Sequence, residues 1–232
     1  DMARESKAQG DNCKIHIVHL SSDEALDIIA DAKREGLRFS AETCPHYLTL
    51  AAENIPDGKT LFKCCPPIRE NSNREHLWQA ITDGRLDFIV SDHSPCTPQL
   101  KHIDTGDIEK AWGGISALQF GLPLIWTEAK ERGFTLVDLA RLMSSETAKF
   151  AGLDSIKGQI AVGFHADFLV FDPSKSYTIS NEMIKHRHKI TPYVGRTVTG
   201  QVLHTYVRGH HVYQQDEFIN APIGRPLLKG KL

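Results

Sequence analysis

The sequence predicts an α/β fold: a parallel sheet with covering helices, followed by a smaller β-rich segment. Three observations carry this reading. Short apolar runs alternate with helix-periodic stretches between residues 14 and 150. Each run stops at a polar break containing serine or proline, as strands feeding loops do. After Gly158 the helical period disappears and only short β-prone runs remain. The chain therefore divides into residues 1–155 and residues 156–232, and the strand–helix alternation of the first part fits either an open sheet or a closed barrel.

The opening Asp1-Met2-Ala3-Arg4-Glu5 reads as the tail of a helix already under way, and an N-terminal truncation is expected. Residues 14–20 form the first strand, with Ile15, Ile17 and Val18 as its buried surface. Ser21-Ser22-Asp23 then caps a helix over residues 23–35, whose apolar positions Ala25, Ile28, Ile29 and Ala32 recur at helical spacing. Gly36 ends that helix. Residues 37–43 read as the second strand, and Cys44-Pro45-His46-Tyr47 stops it. A third strand-like piece, residues 61–65, breaks at Pro66-Pro67. Residues 71–83 are helical, with Leu77, Trp78 and Ile81 on one face, and residues 86–90 run straight into Asp92 as a fourth strand. Residues 97–107 are loop-like, and residues 115–130 and 136–150 are helical. The later β runs are 158–160, 166–171, 198–207 and 211–213.

Composition excludes several classes of function. The 232 residues are 41% hydrophobic and 24% charged, the values of an ordinary globular protein. Lys+Arg 27 against Asp+Glu 29 leaves a net charge of −2, so there is no basic field for nucleic acid. The apolar runs are too short to span a bilayer. Five cysteines, an odd number without a C-x-x-C pair, argue against a disulfide framework or a cysteine zinc knuckle and fit a reducing, intracellular setting. The closing Gly230-Lys231-Leu232 only loosely resembles a peroxisomal address.

The candidate chemistry sits where strands end. His19, His46 and Asp92 each follow a strand, and in an α/β sheet side chains there converge although they are distant in sequence. Imidazole and carboxylate suit zinc, which makes bound water ionisable near neutral pH. A structural reading stands beside this. His16 and His19 are three residues apart, so one faces away, and either could be a hydrogen-bonded core histidine. His46 could order a turn, and Asp92 could bond backbone amides. His186, His188, His210 and His211 are expected on a solvated β edge, and no partnered base activates Cys64, Cys65 or Cys96 as a nucleophile.

Several motifs together resemble the cyclic amidohydrolases. They are His16-x-x-His19-Leu-Ser-Ser, Glu42-Thr43-Cys44-Pro45-His46-Tyr47, Lys63-Cys64-Cys65-Pro66-Pro67-Ile68-Arg69, Ser91-Asp92-His93-Ser94-Pro95-Cys96, Trp112-Gly113-Gly114-Ile115 and residues 188–196. The resemblance implies the second half of a metal-dependent TIM-like (β/α)8 barrel (strands five to eight) in residues 1–155. Residues 156–232 would then be the C-terminal part of a small β-sandwich domain. It implies that His19 and His46 bind one metal ion, and that Asp92 binds another and shuttles a proton. The backbone at Cys65, Gly113 and Gly114 would hold the ring amide of a small hydantoin-like substrate. Zinc as cofactor, two ions in all, and a homotetramer in the cytoplasm, with mitochondria or peroxisome left open, complete what it implies.

The chain also departs from the family. A His-x-His pair on strand one and a carboxylated lysine on strand four, which bridges the metals, have no counterpart. His186-Arg187-His188 lies in the β-rich segment, and Lys14 begins a strand rather than ending one. A non-catalytic homologue is therefore the alternative to a hydrolase.

Overall fold

The computed structural model describes residues 1–11 and 13–228. The end singled out as a loose peroxisomal address, Gly230-Lys231-Leu232, lies outside the described residues. Two sheets organise them. The first is parallel, with β1 (Lys14–Ile17), β2 (Arg38–Thr43) and β3 (Phe88–Ile89) in that order. β2 is the central strand: Ile17 stands beside Ala41 on one side, and Thr43 beside Ile89 on the other. The second is antiparallel, running β4 (Phe168–Thr178), β5 (Thr197–Val207), β6 (His210–Gln214) and β7 (Glu217–Phe218).

Several of the helices bury an apolar face, only partly the one their spacing predicts. α1 (Met2–Ala8) opens the chain, and α2 (Leu26–Arg34) buries Leu26, Ile29 and Ala32. α3 (Pro45–Thr49) starts directly after β2, with Pro45 in its first turn, where its missing N–H costs nothing. α4 (Asn71–Thr82) buries Leu77, Trp78 and Ile81, the face read from sequence. Trp78 satisfies its indole N–H on Leu48 O at 2.9 Å. α5 (Gly121–Glu131) buries Leu124 and Ile125. α6 (Leu136–Ala140) and α7 (Glu146–Phe150) are joined through a π-helical turn, Arg141–Ser145, so the expected helix over 136–150 carries one wide turn.

Sequence and structure part company at several places. The third strand-like piece is not a strand: Thr60–Phe62 is a 3-10 turn, residues 63–65 form no strand, and β2 pairs directly with β3. The first sheet has three strands among the described residues rather than four. Val18 and Ile28, expected inside, are 51% and 67% exposed. Val18 lies beyond the last β1 pair, and Ile28 lies on the far side of α2 from Leu26 and Ile29. Residues 158–160 form no strand. His186 and His211 are packed rather than solvated. His186 lies edge-on to His93 at 5.3 Å, and His211 stacks on Tyr206 at 4.6 Å.

The two sheets are tied through α5. Trp126 donates to Pro173 O at 2.9 Å, and Thr199 N donates to Thr127 Oγ1 at 2.8 Å. Arg196 reaches Thr49 O at 2.5 Å and Glu128 Oε1 at 2.7 Å. Gly200 of β5 holds a φ of +100°, and a Cβ there would lie 2.3 Å from Phe171 Cζ and 2.7 Å from Trp126 Cδ1. The junction thus requires glycine for both conformation and space. Gly200→Ala is expected to cost about 1–3 kcal/mol, read as a lower urea midpoint with an unchanged slope; a midpoint equal to the parent's would contradict the close approach.

Candidate active site

The parallel sheet delivers three side chains to one end. His19 follows β1 by two residues, His46 lies in the first turn of α3 just after β2, and Asp92 follows β3 by three. The loop after β1 is stitched to β2: Leu20 N donates to Glu42 O at 2.8 Å, and Thr43 Oγ1 donates to Leu20 O at 2.8 Å. His19 and Asp92 both turn back sharply, with φ of +40° and +39°. Non-glycine residues in the left-handed region cost free energy and persist where surrounding structure enforces them, often at functional sites.

His46 is fully buried, and neither ring nitrogen has a hydrogen-bond partner. Its Nε2 lies 3.7 Å from Asp92 Oδ2. Burial, with the charge of His19 adding, lowers its pKa to about 3, so the ring is neutral at any ordinary pH. Two buried, unpaired ring nitrogens are costly as structure. The same neutral imidazole is ligand-competent. Asp92 has its pKa raised by burial, an effect the charge of His19 opposes.

Other polar residues nearby behave as structure. His16 Nδ1 pairs with Ser40 Oγ at 2.8 Å, and its Nε2 is 3.1 Å from Glu42 Oε2, though not aligned as a hydrogen bond. Asp87, five residues before Asp92, accepts from Ala41 N and Lys33 Nζ, both at 2.8 Å. The sequence placed both acids at one apolar strand, and only the structure separates the partnered one from the other.

Ligand atoms of Cys44, His46 and Asp92 all lie within 4.8 Å of one another. A thiol, an imidazole and a carboxylate converging around unpaired nitrogens fit a divalent cation of the zinc type. His19 is near enough to act on both His46 and Asp92, but it is not part of this tight group. Cys44 was missed by sequence reasoning, although its place two residues before His46 was a usable signal. Its thiol is fully buried, and burial pushes its pKa well up, with the charges of Asp92 and Glu42 adding. A bound cation would reverse that preference.

The other two expected segments meet beside each other. A Cβ on Gly113 would lie 2.6 Å from Cys65 Sγ, and one on Gly114 would lie 2.5 Å from Ser94 Oγ. Neither position has room for a side chain: Cys65 and Ser94 fill the space a Cβ would take, and glycine lets these segments pack closely. Gly114 N donates to Lys63 O at 3.1 Å. Trp112 is 45% exposed at the rim of this loop.

An α/β sheet with histidine and aspartate at its strand ends and a donor set suited to a metal defines a class, and comparison places the chain within it. The sequence profile of the amidohydrolase family matches residues 5–212, and the chain belongs to that family. It is 50% identical over 216 residues to the allantoinase of Streptomyces avermitilis, covering 93% of this chain and 47% of that protein. The allantoinase of Saccharomyces cerevisiae is 46% identical, with 94% of this chain and 46% of that protein covered. The solved L-hydantoinase (dihydropyrimidinase) of Arthrobacter aurescens superposes with a TM-score of 0.84 at 28% identity, over 91% of this chain and 47% of that one. The chain spans about half the length of the curated relatives it matches.

The contrast between the two acids is testable in metal-free protein. Asp87→Ala is expected to cost about 1–3 kcal/mol, because it strips a buried amide of its acceptor. Asp92→Asn should leave the melting midpoint unchanged or higher. The native acid's raised folded-state pKa makes stability fall as pH rises out of the carboxylate range, and the Asn variant should lack that slope. A large loss of stability in chelator-treated Asp92→Asn would make Asp92 a structural acid.

Proposed function

We propose that the chain is part of an allantoinase, which hydrolyses the ring amide of allantoin to give allantoate in purine breakdown. The observation that carries this reading is the unpaired, neutral His46 facing Asp92, in a chain whose relatives at 40–50% identity include several named allantoinases. In this reading residues 1–155 supply the second half of a TIM-like barrel and residues 156–232 part of a small β domain. The full enzyme would hold two zinc ions bridged by a carboxylated lysine that this chain does not contain. A homotetramer and an intracellular setting accompany the proposal; no helix among the described residues is long and apolar enough to cross a membrane.

His19 and His46 would hold one ion and Asp92 the other, with Cys44 as a further donor within reach of His46 and Asp92. When bound, a divalent cation supplies a Lewis acid and lowers the pKa of water at the site. The backbone at Cys65, Gly113 and Gly114 would bind and orient the hydantoin ring. Asp92 would take the proton from the attacking water and pass it to the departing ring nitrogen. Burial raises its affinity for that proton, which suits an acid that must carry one in mid-reaction. His46 remains a neutral donor throughout.

The full-length gene product, loaded with zinc, is expected to open allantoin in preference to dihydroorotate and dihydrouracil. Asp92→Asn is expected to lower kcat about 10²–10⁴-fold with metal content near normal. Preference for dihydrouracil would favour a dihydropyrimidinase, the activity named for the A. aurescens neighbour. Preference for dihydroorotate would favour a dihydroorotase. A second reading, a non-catalytic homologue, draws on the absence of a His-x-His strand from this chain. Weak or no zinc binding by the 232-residue chain, together with an inactive full-length product, would favour it.

A further inference from the structure

Lys101 is a lysine only 3% exposed, in a stretch that sequence reading left as a polar loop. Its Nζ donates to Lys63 O at 2.8 Å and to Trp112 O at 2.9 Å. Among the described residues it makes no ion pair with a carboxylate, so its charge rests on backbone carbonyls alone. Those carbonyls belong to the two segments that carry Cys65 and Gly113-Gly114. Lys63 O already accepts from Gly114 N at 3.1 Å, and the Lys101 ammonium adds a second, charge-assisted bond. The lysine's own backbone is anchored: Lys101 N donates to Thr97 O at 3.2 Å, and Trp112 N donates to Leu100 O at 2.7 Å. The contact between Gly113 and Cys65 Sγ leaves no slack between the segments.

We infer that Lys101 is a positioning residue for substrate binding: it clamps the 63–65 and 112–114 backbones at the separation that grips the ring amide. This rests on the cyclic-amide reading above and names a residue that the metal site and the proton transfer do not use. A buried cation is an unusual choice for a purely structural tie, because desolvation alone disfavours the charge. Burial lowers the Lys101 pKa to about 8, with the Lys63 ammonium acting in the same direction and the Cys96, Cys64 and Cys65 thiols opposing it. The three thiols and Lys63 are the titratable groups that face it. A neutral amine keeps two N–H donors but binds carbonyls more weakly, so the clamp is firmest with the proton on.

The test uses the full-length, zinc-loaded gene product and the variants Lys101→Met, which keeps length and removes the donors, and Lys101→Gln, which keeps an amide donor. Losing charge-assisted bonds of this kind is expected to raise KM for allantoin about 10-fold or more in Lys101→Met. The Gln variant should fall between it and the parent. Zinc content should be unchanged, and kcat should fall by a smaller factor than KM rises. The parent's KM should also rise above about pH 8, an alkaline limb that Lys101→Met lacks. An unchanged KM, or an equal loss in kcat and zinc content, would overturn the positioning role. So would melting of both variants below the assay temperature, which would make Lys101 structural only. Absence of allantoin turnover in the parent would instead defeat the proposed function, so the two failures are distinguishable.

Discussion

The structure depends on the pairing of β2 with a parallel strand on each side. Because all three strands run the same way, their carboxyl ends lie together, and the loops that leave them bring His19, His46 and Asp92 into one region. A parallel sheet needs crossover connections, and the helices that supply them also bury the apolar faces of the strands. α4 is the clearest case: it lies between β2 and β3 in the chain, and its Leu77, Trp78 and Ile81 join the core that includes Ala41 and Ile89. Without that ladder, a histidine at position 19 and an acid at position 92 would have no reason to meet.

The candidate site holds a buried histidine without partners, beside residues of the same types that are satisfied. His16 and Asp87 show what the same residue types do as structure, since each has close partners across the sheet. His46 has none and is fully buried, and the backbone at His19 and Asp92 is held in the left-handed region. Unpaired polar atoms and unfavourable φ values each cost of order 1–3 kcal/mol. Such atoms and backbone angles occur elsewhere among the described residues too, so the physical argument for a ligand is that here they coincide with the Cys44, His46 and Asp92 donor set.

The segment leading into the second sheet touches the helix that carries His46. Arg196, in the turn before β5, reaches the last turn of α3 through Thr49 O, and α3 is the helix that carries His46. Gly200 allows β5 to lie against Trp126 and Phe171. Residues distant in sequence from the candidate chemistry therefore set the position of the helix that presents it.

By itself the sequence determined the alternation of strands and helices, the buried face of α4, the β-rich texture after Gly158, and His19, His46 and Asp92 as residues at strand ends. Those features follow from local periodicity, turn chemistry and motif, all of which act within about fifteen residues. Tertiary structure alone decided that residues 60–62 form a 3-10 turn, because an apolar run is equally a strand or a packed turn until its pairing partner is known. It also decided that Val18 and Ile28 face water, that Cys44 joins His46 and Asp92, and that Asp87 and Asp92 play different parts. Each of these turns on which atoms lie nearby in space, and in particular on whether a buried polar atom finds a partner across the sheet. Spacing along the chain does not carry that information.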